Sequence, residues 1–209
     1  QSLGLHDVAH FDPEEKIIEY AIQNEEANLM NSTMNEFVEE LSTNSPAPGG
    51  GSVAALAGSL AAGLAAMVSA LTHEKKGFEL TKDEMESIGL EAQHLKDRFI
   101  ALVDEDTSAF NQMMDAGRLP SKTETEKSDK KSAMEKAAKN GVNIPMETAE
   151  SALKILEMTA VLVEKGNPNS VSDAGVAAEM AHGAVRGGIM NVRINLSGIG
   201  EIGRASCRE

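Results

Sequence analysis

Asp106 has the clearest claim to chemistry in this chain. On a helix turning about 100° per residue, Leu95, Phe99, Leu102, Val103, Phe110 and Met113 all fall within about 60° of it. The aspartate therefore stands in the middle of an apolar stripe. A carboxylate there costs free energy unless it is paired, hydrogen-bonded or protonated. Two readings follow: a buried polar link to another helix, or an acid/base group whose pKa is raised by desolvation. Asp104 falls on the opposite side of the same helix, where a solvated carboxylate costs nothing.

A second candidate is Pro46-Ala47-Pro48-Gly49-Gly50-Gly51-Ser52. The prolines stiffen the entry and deny helix to the residues before them, and the glycines leave bare backbone. Ser52 is expected to open the following helix as its cap. Unpaired amides at a helix start can receive a polar or anionic ligand directly on Gly49, Gly50, Gly51 and Ser52. The plainer reading is a tight turn feeding a buried helix. The Gly-Lys-Ser/Thr ending of a nucleotide-binding loop is missing, and no strand precedes the glycines. Asn191 and Asn195 lie one turn apart and share a face. Asp173 reads as a helix cap, and His182, alone among small residues, as a core histidine. His6 and His10 are the only histidines at helical spacing, in a loose N-terminal segment, so no metal set is expected.

Helices must position these groups. Thr33 with Glu36 marks a start, with Phe37, Val38 and Leu41 as its apolar face. Val53 to Leu71 is an almost uncharged run of small residues. It is long enough to raise a membrane span, but Ala, Gly and Ser gain little from lipid and no aromatic belt flanks it. It is expected to be buried in protein, with pairs such as Ala55/Ser59 and Gly58/Ala62 admitting a close backbone, a surface suited to a symmetric partner. His73–Gly77 is a charged break, and a long helix then runs from about Asp83 to Ala116. Lys127, Lys130 and Lys131 lie on a Lys/Glu-rich helix, where a solvated face and a meeting place for an acidic ligand are both open. Pro145 is expected to open or kink the next helix, which Gly166 closes. The last helix is again rich in small residues.

The composition fits this scheme. The chain has 209 residues, 41% of them hydrophobic, with no Trp, one Tyr and eleven Met, which favours helices packed through small and flexible side chains. A formal charge of −14 argues against non-specific nucleic-acid binding and leaves an acidic small molecule possible where cations cluster. The lone Cys207 gives no disulfide framework. The polar, acidic start shows no signal peptide, so a cytoplasmic protein without a membrane span is expected.

Together, Pro46–Ala55, Leu102-Val103-Asp104-Glu105-Asp106 with Ala109-Phe110, Gly166-Asn167 with Ser172-Asp173, and Asn191-Val192 with Ile194-Asn195-Leu196 resemble the formimidoyltetrahydrofolate cyclodeaminase family. That family also contains methenyltetrahydrofolate cyclohydrolases of the serine-cycle type. The likeness runs from about Thr33 to Leu196. Leu5–Ile22 looks like the end of a formimidoyltransferase domain, so residues 1–30 are expected to be its remnant plus a linker, and 31–199 the cyclodeaminase-like domain lacking its last helix. Residues 200–209 look foreign to such domains, which normally continue into a further long helix. The chain is thus expected to be a fragment of a bifunctional enzyme.

The resemblance implies an all-α antiparallel bundle of five or six helices, dimerising through its small-residue helices with the site near the interface. It implies that 5-formimidoyltetrahydrofolate is closed to 5,10-methenyltetrahydrofolate with release of ammonia, in histidine degradation and one-carbon metabolism. Asp106 matches the family's proton donor/acceptor. The glycine loop with Ser52 would receive polar folate atoms, and Asp173, Asn191 and Asn195 would orient the pterin. Lys75, Lys76 or Arg186 would meet a polyglutamate tail. Folate is the substrate and no cofactor or metal is implied. The alternatives are a cyclohydrolase and a non-catalytic helical dimerisation module.

Overall fold

The computed structural model describes residues 29–206, with side chains described as far as Leu196. Residues 1–28, and with them the segment expected to be a transferase remnant and His6/His10, lie outside the described part. Five α-helices are described: α1 (Met34–Leu41), α2 (Gly50–His73), α3 (Lys82–Arg118), α4 (Glu124–Lys165) and α5 (Val171–Ser206). No strand occurs among the described residues, and the all-α expectation holds.

Each start and stop has a local cause. Thr33 caps α1 through the reciprocal bonds of a capping box with Glu36, and Thr123 does the same for α4 with Glu126. Gly77, at φ 93°, makes the turn after α2 that a side chain would strain. Lys130, one of the candidate anion-binding lysines, instead donates to the Gly117 and Leu119 carbonyls at the end of α3. Gly166 ends α4 as expected.

Short connections fold the helices back on one another, and their close approaches fix the register. Along α2, Gly51 meets Asp106, Gly58 meets Phe99, and Ser69 faces Gly89, so α3 runs antiparallel to it. Against α5, Gly50 faces Asn191, Ala54 meets Gly187, and Thr72 bonds to Asn167 just before α5 begins. The core surrounds α2: Phe99, Leu102 and Val103 of α3, Ala152 and Ile155 of α4 and Ala181 and Ala184 of α5 form one cluster with Ala61, Ala62, Ala65 and Val68. Arg98 clamps α3 to α4: its guanidinium reaches Glu147 at 2.6 and 2.8 Å and Glu105 at 2.5 and 2.9 Å. The bonds to Arg98 hold the Glu147 carboxyl below its ordinary pKa.

Several expectations need correcting. The cap of α2 is Gly49, and Ser52 lies inside the first turn. Pro145 neither opens a helix nor ends one, because α4 continues through it. Ala55, Gly58, Ser59 and Ala62 are buried within this chain, Gly58 by the Phe99 ring, so a symmetric partner does not use them. The outward stripe of α2 is instead Val53, Leu60, Met67 and Leu71, 38–45% exposed. Of the apolar face of α1 only Phe37 is buried, and His182 is exposed. Asp104 is not a freely solvated group: it accepts the Leu29 amide at 2.7 Å and anchors the Leu29–Asn31 turn. Asp173 sits in the first turn of α5 rather than at its cap. The helix runs on through residues 200–206, part of the segment that looked foreign.

Helix α2 is long and apolar enough to cross a membrane, yet 56% of its most apolar window is buried within the bundle. A core helix meets the same description.

Candidate active site

At one end of the bundle the loop before α2 and the facing turns of α3, α4 and α5 enclose a cavity of about 510 Å³. That volume suits a drug-sized ligand or a bicyclic ring with substituents. Pro46, Ala47 and Gly49–Gly51 form one wall, Asp106, Ala109, Phe110 and Met113 another, Ala138 and Gly141 a third, and Asn191, Ile194 and Asn195 the fourth. The Ala47–Pro48 peptide of the loop is cis. Most of the lining is apolar, and among the described residues Asp106 is its one charged side chain.

Asp106 is held where the amides of α2 begin. Its Oδ2 accepts the Ser52 hydroxyl at 3.0 Å, and its carboxylate also takes the Ser52 amide. Ser52 is fully buried, and its Oγ lies 3.3 Å from Thr107 Oγ1. A Cβ on Gly51 would overlap the Asp106 carboxylate, so only glycine lets the acid lie against that turn. The negative group thus occupies the positive end of a helix. Burial nevertheless dominates and pushes the Asp106 carboxyl above its ordinary pKa, with the Ser52 bonds opposing the rise. A carboxyl so placed is oriented, shielded from water, and keeps its proton to higher pH than a solvated aspartate.

The two asparagines face it from α5. Asn191 donates to the Gly187 carbonyl of its own helix at 2.9 Å, and Asn195 donates across to the Gly141 carbonyl of α4. Each bond uses the amide nitrogen, which directs the oxygen elsewhere as an acceptor.

Gly49, Gly50, Gly51, Asp106, Asn191 and Asn195 therefore converge on one cavity. Ser52 lies behind it and acts on Asp106. Lys75, Lys76, Asp173 and Arg186 do not line it. Lys75 lies at the other end of α2, where its Nζ donates to Asn167 Oδ1 at 2.5 Å, and Arg186 is exposed on α5. The sequence reading missed Gly141, whose signal was the proline four residues after it, and the apolar wall of Ala109 and Ala138.

Fold and cavity together define a class, an all-α bundle whose small-molecule cavity is lined by a half-buried acid. The chain belongs to the formiminotransferase-cyclodeaminase family, whose sequence model matches residues 33–206. It is 36% identical over 199 residues to the formimidoyltransferase-cyclodeaminase of Gallus gallus, covering 94% of this chain and 37% of that one. It is 30% identical to the methenyltetrahydrofolate cyclohydrolase of Methylorubrum extorquens, covering 81% of each. The formiminotetrahydrofolate cyclodeaminase of Thermotoga maritima shares the fold with a TM-score of 0.71 and 30% identity, covering 80% of this chain and 79% of that one. The chain spans little more than a third of the formimidoyltransferase-cyclodeaminases that it matches.

Proposed function

We propose that the cavity binds 5-formimidoyltetrahydrofolate and closes it to 5,10-methenyltetrahydrofolate with loss of ammonia. The observation that carries this reading is the Asp106 carboxyl, raised in pKa by burial, fixed by Ser52 and open to the cavity. Folate N10 adds to the carbon of the protonated amidine, turning its C=NH2+ into an –NH2 group, and gives up its own proton to Asp106. The C–N bond to the former imino nitrogen then breaks, and Asp106 returns the proton to that nitrogen as it leaves. Asn191 and Asn195 offer acceptors to pterin N–H groups, and the apolar walls keep water from the intermediate.

A second reading, cyclohydrolase action on 5,10-methenyltetrahydrofolate, has the support of the bacterial relative that this chain matches over similar lengths. The cyclodeaminase is favoured because the likeness to the avian bifunctional protein covers 199 residues, more than the 33–206 span of the family model. That match reaches into the segment before Thr33.

Supplying both folates to one preparation separates the readings, since only the cyclodeaminase releases ammonia. Asp106→Asn is expected to lower ammonia release by about 100-fold or more, and near-normal turnover would remove Asp106 from the chemistry. In the wild type, kcat/KM should rise with pH as Asp106 ionises, with a midpoint above that of a solvated aspartate, and the variant should lose this limb. The sign for folding is the reverse. The folded state holds the Asp106 proton more tightly than the unfolded chain, so this group's contribution to stability is full below the unfolded pKa and is lost as pH rises through the folded one.

The outward stripe of α2 supports a homodimer, since Val53, Leu60, Met67 and Leu71 form a continuous apolar ridge that a second copy would cover. An antiparallel α2 pair would also bring Lys75 of the partner subunit toward this chain's glycine loop. Within one chain the length of α2, roughly 36 Å, separates them. Sedimentation at the mass of one chain would exclude this arrangement.

A further inference from the structure

Pro145 lies fully buried in the interior of α4, a position that ordinarily costs a helix about 3 kcal/mol. Its missing N–H is the one that would have bonded to the carbonyl four residues earlier, that of Gly141. That same carbonyl accepts the Asn195 side-chain amide from α5, and both Gly141 and Asn195 line the cavity. The two helices are close enough for this because Gly188 packs on the proline's turn: a Cβ at Gly188 would lie 2.7 Å from the Pro145 carbonyl oxygen and 3.1 Å from the Ala149 amide nitrogen. We infer that Pro145 is a positioning residue for the site. It withholds its own donor so that the Gly141 carbonyl is left to hold the Asn195 amide.

The chemistry of the amide gives this bond its consequence. A carbonyl accepts only, so the atom of Asn195 that meets Gly141 must be Nδ2, and Oδ1 is turned into the role of acceptor. A backbone N–H at position 145 would compete with Nδ2 for that carbonyl, and an amide held less firmly could rotate by half a turn and present N–H where a ligand N–H must bind. Asn191 is held by its own helix, one turn away, and needs no such device. The proline thus fixes which hydrogen-bonding pattern the α5 wall presents, namely acceptors for a ring with N–H donors.

The inference deepens the proposed folate reading and rests on it for the ligand, but its first test needs no ligand. Pro145→Ala restores an N–H that competes for the Gly141 carbonyl. The side-chain 15N–H signals of Asn195, identified by their loss in Asn195→Ala, are expected to shift in folded Pro145→Ala. Unmoved signals would overturn the assignment. The second test is a double-mutant cycle on the affinity for 5-formyltetrahydrofolate, a stable analogue, measured by calorimetry. Pro145→Ala should weaken binding about tenfold in the wild-type background and less than twofold beside Asn195→Ala. Equal losses in both backgrounds would mean that the proline acts through general packing, and the inference would fall. Should Pro145→Ala not fold, Pro145→Val supplies the same N–H on a side chain nearer in volume. A wild type that binds no folate would defeat the folate reading, and the Asn195 signals would then decide this one alone.

Discussion

The two ends of α2 carry similar polar chemistry and use it differently. At the C-terminal end, fully buried Thr72 donates to the Val68 carbonyl at 2.7 Å and accepts the Asn167 amide at 2.9 Å, while Asn167 Oδ1 takes Lys75 Nζ and the Asn169 amide. Within this Thr72–Asn167–Lys75 set donors and acceptors satisfy one another, although one turn back on α2 the buried Ser69 hydroxyl has no partner among the described residues. At the N-terminal end the fold fixes the polar groups without using them up: Asp106 is held by Ser52, and the two asparagines spend their amide nitrogens on carbonyls. Their remaining acceptor atoms belong to residues that line a cavity of about 510 Å³. What separates a junction from a site in this bundle is thus whether positioned polar groups keep bonding capacity to offer a ligand.

A pair of glycine substitutions tests that contrast most severely. Gly51 and Gly58 both lie on α2 under a side chain of α3, Gly51 under the Asp106 carboxylate and Gly58 under the Phe99 ring. Alanine at either forces its neighbour to move, and each is expected to cost about 1–3 kcal/mol of stability. Only Gly51→Ala displaces the acid, and ammonia release per folded molecule is expected to fall by about 100-fold. Gly58→Ala, two turns away in the core, should melt earlier and keep its turnover once folded. Equal activity losses would show that the site end depends on packing along the whole helix interface, and the distinction between the two ends would fail.

The sequence made the site legible where one side chain breaks a local pattern. An aspartate on the stripe of Phe99, Leu102 and Val103 is visible from helical periodicity, and the turn before α2 from its prolines and glycines. The asparagines at 191 and 195 share a face by spacing alone. Illegible were the features settled by partners distant in the chain. No helical wheel brings Leu29 to Asp104, or shows that Lys75 is engaged by Asn167 rather than facing the cavity. Three glycines in a row carry no side chain to mark where the helix begins, so Ser52 read as a cap when it is a buried donor to Asp106. Pro145 read as opening or kinking a helix because its penalty is local, whereas the contact that satisfies the freed Gly141 carbonyl comes from a helix some fifty residues on. The small residues of α2 admit close neighbours, as their pattern implied, but those neighbours are α3 and α5 of the same chain.

The smallest expected effect lies at the closed end. Thr72→Val keeps the shape of the side chain and removes both hydrogen bonds. The Val68 carbonyl retains the Thr72 backbone amide within the helix, so the group left without its partner is the Asn167 amide. One unpaired amide of this kind costs about 1–2 kcal/mol, and for a domain of this size the melting temperature should fall by several degrees. Ammonia release at a temperature where the variant is fully folded should stay within twofold of wild type, because no Thr72 atom lines the cavity. If turnover falls in step with stability, strain at the Thr72–Asn167 junction is reaching Asp106 along α2 or Asn191 along α5, and the two ends form one mechanical unit. If only the melting temperature moves, the closed end serves to hold the helices in register, and the bonding capacity left at the other end is what the bundle devotes to its ligand.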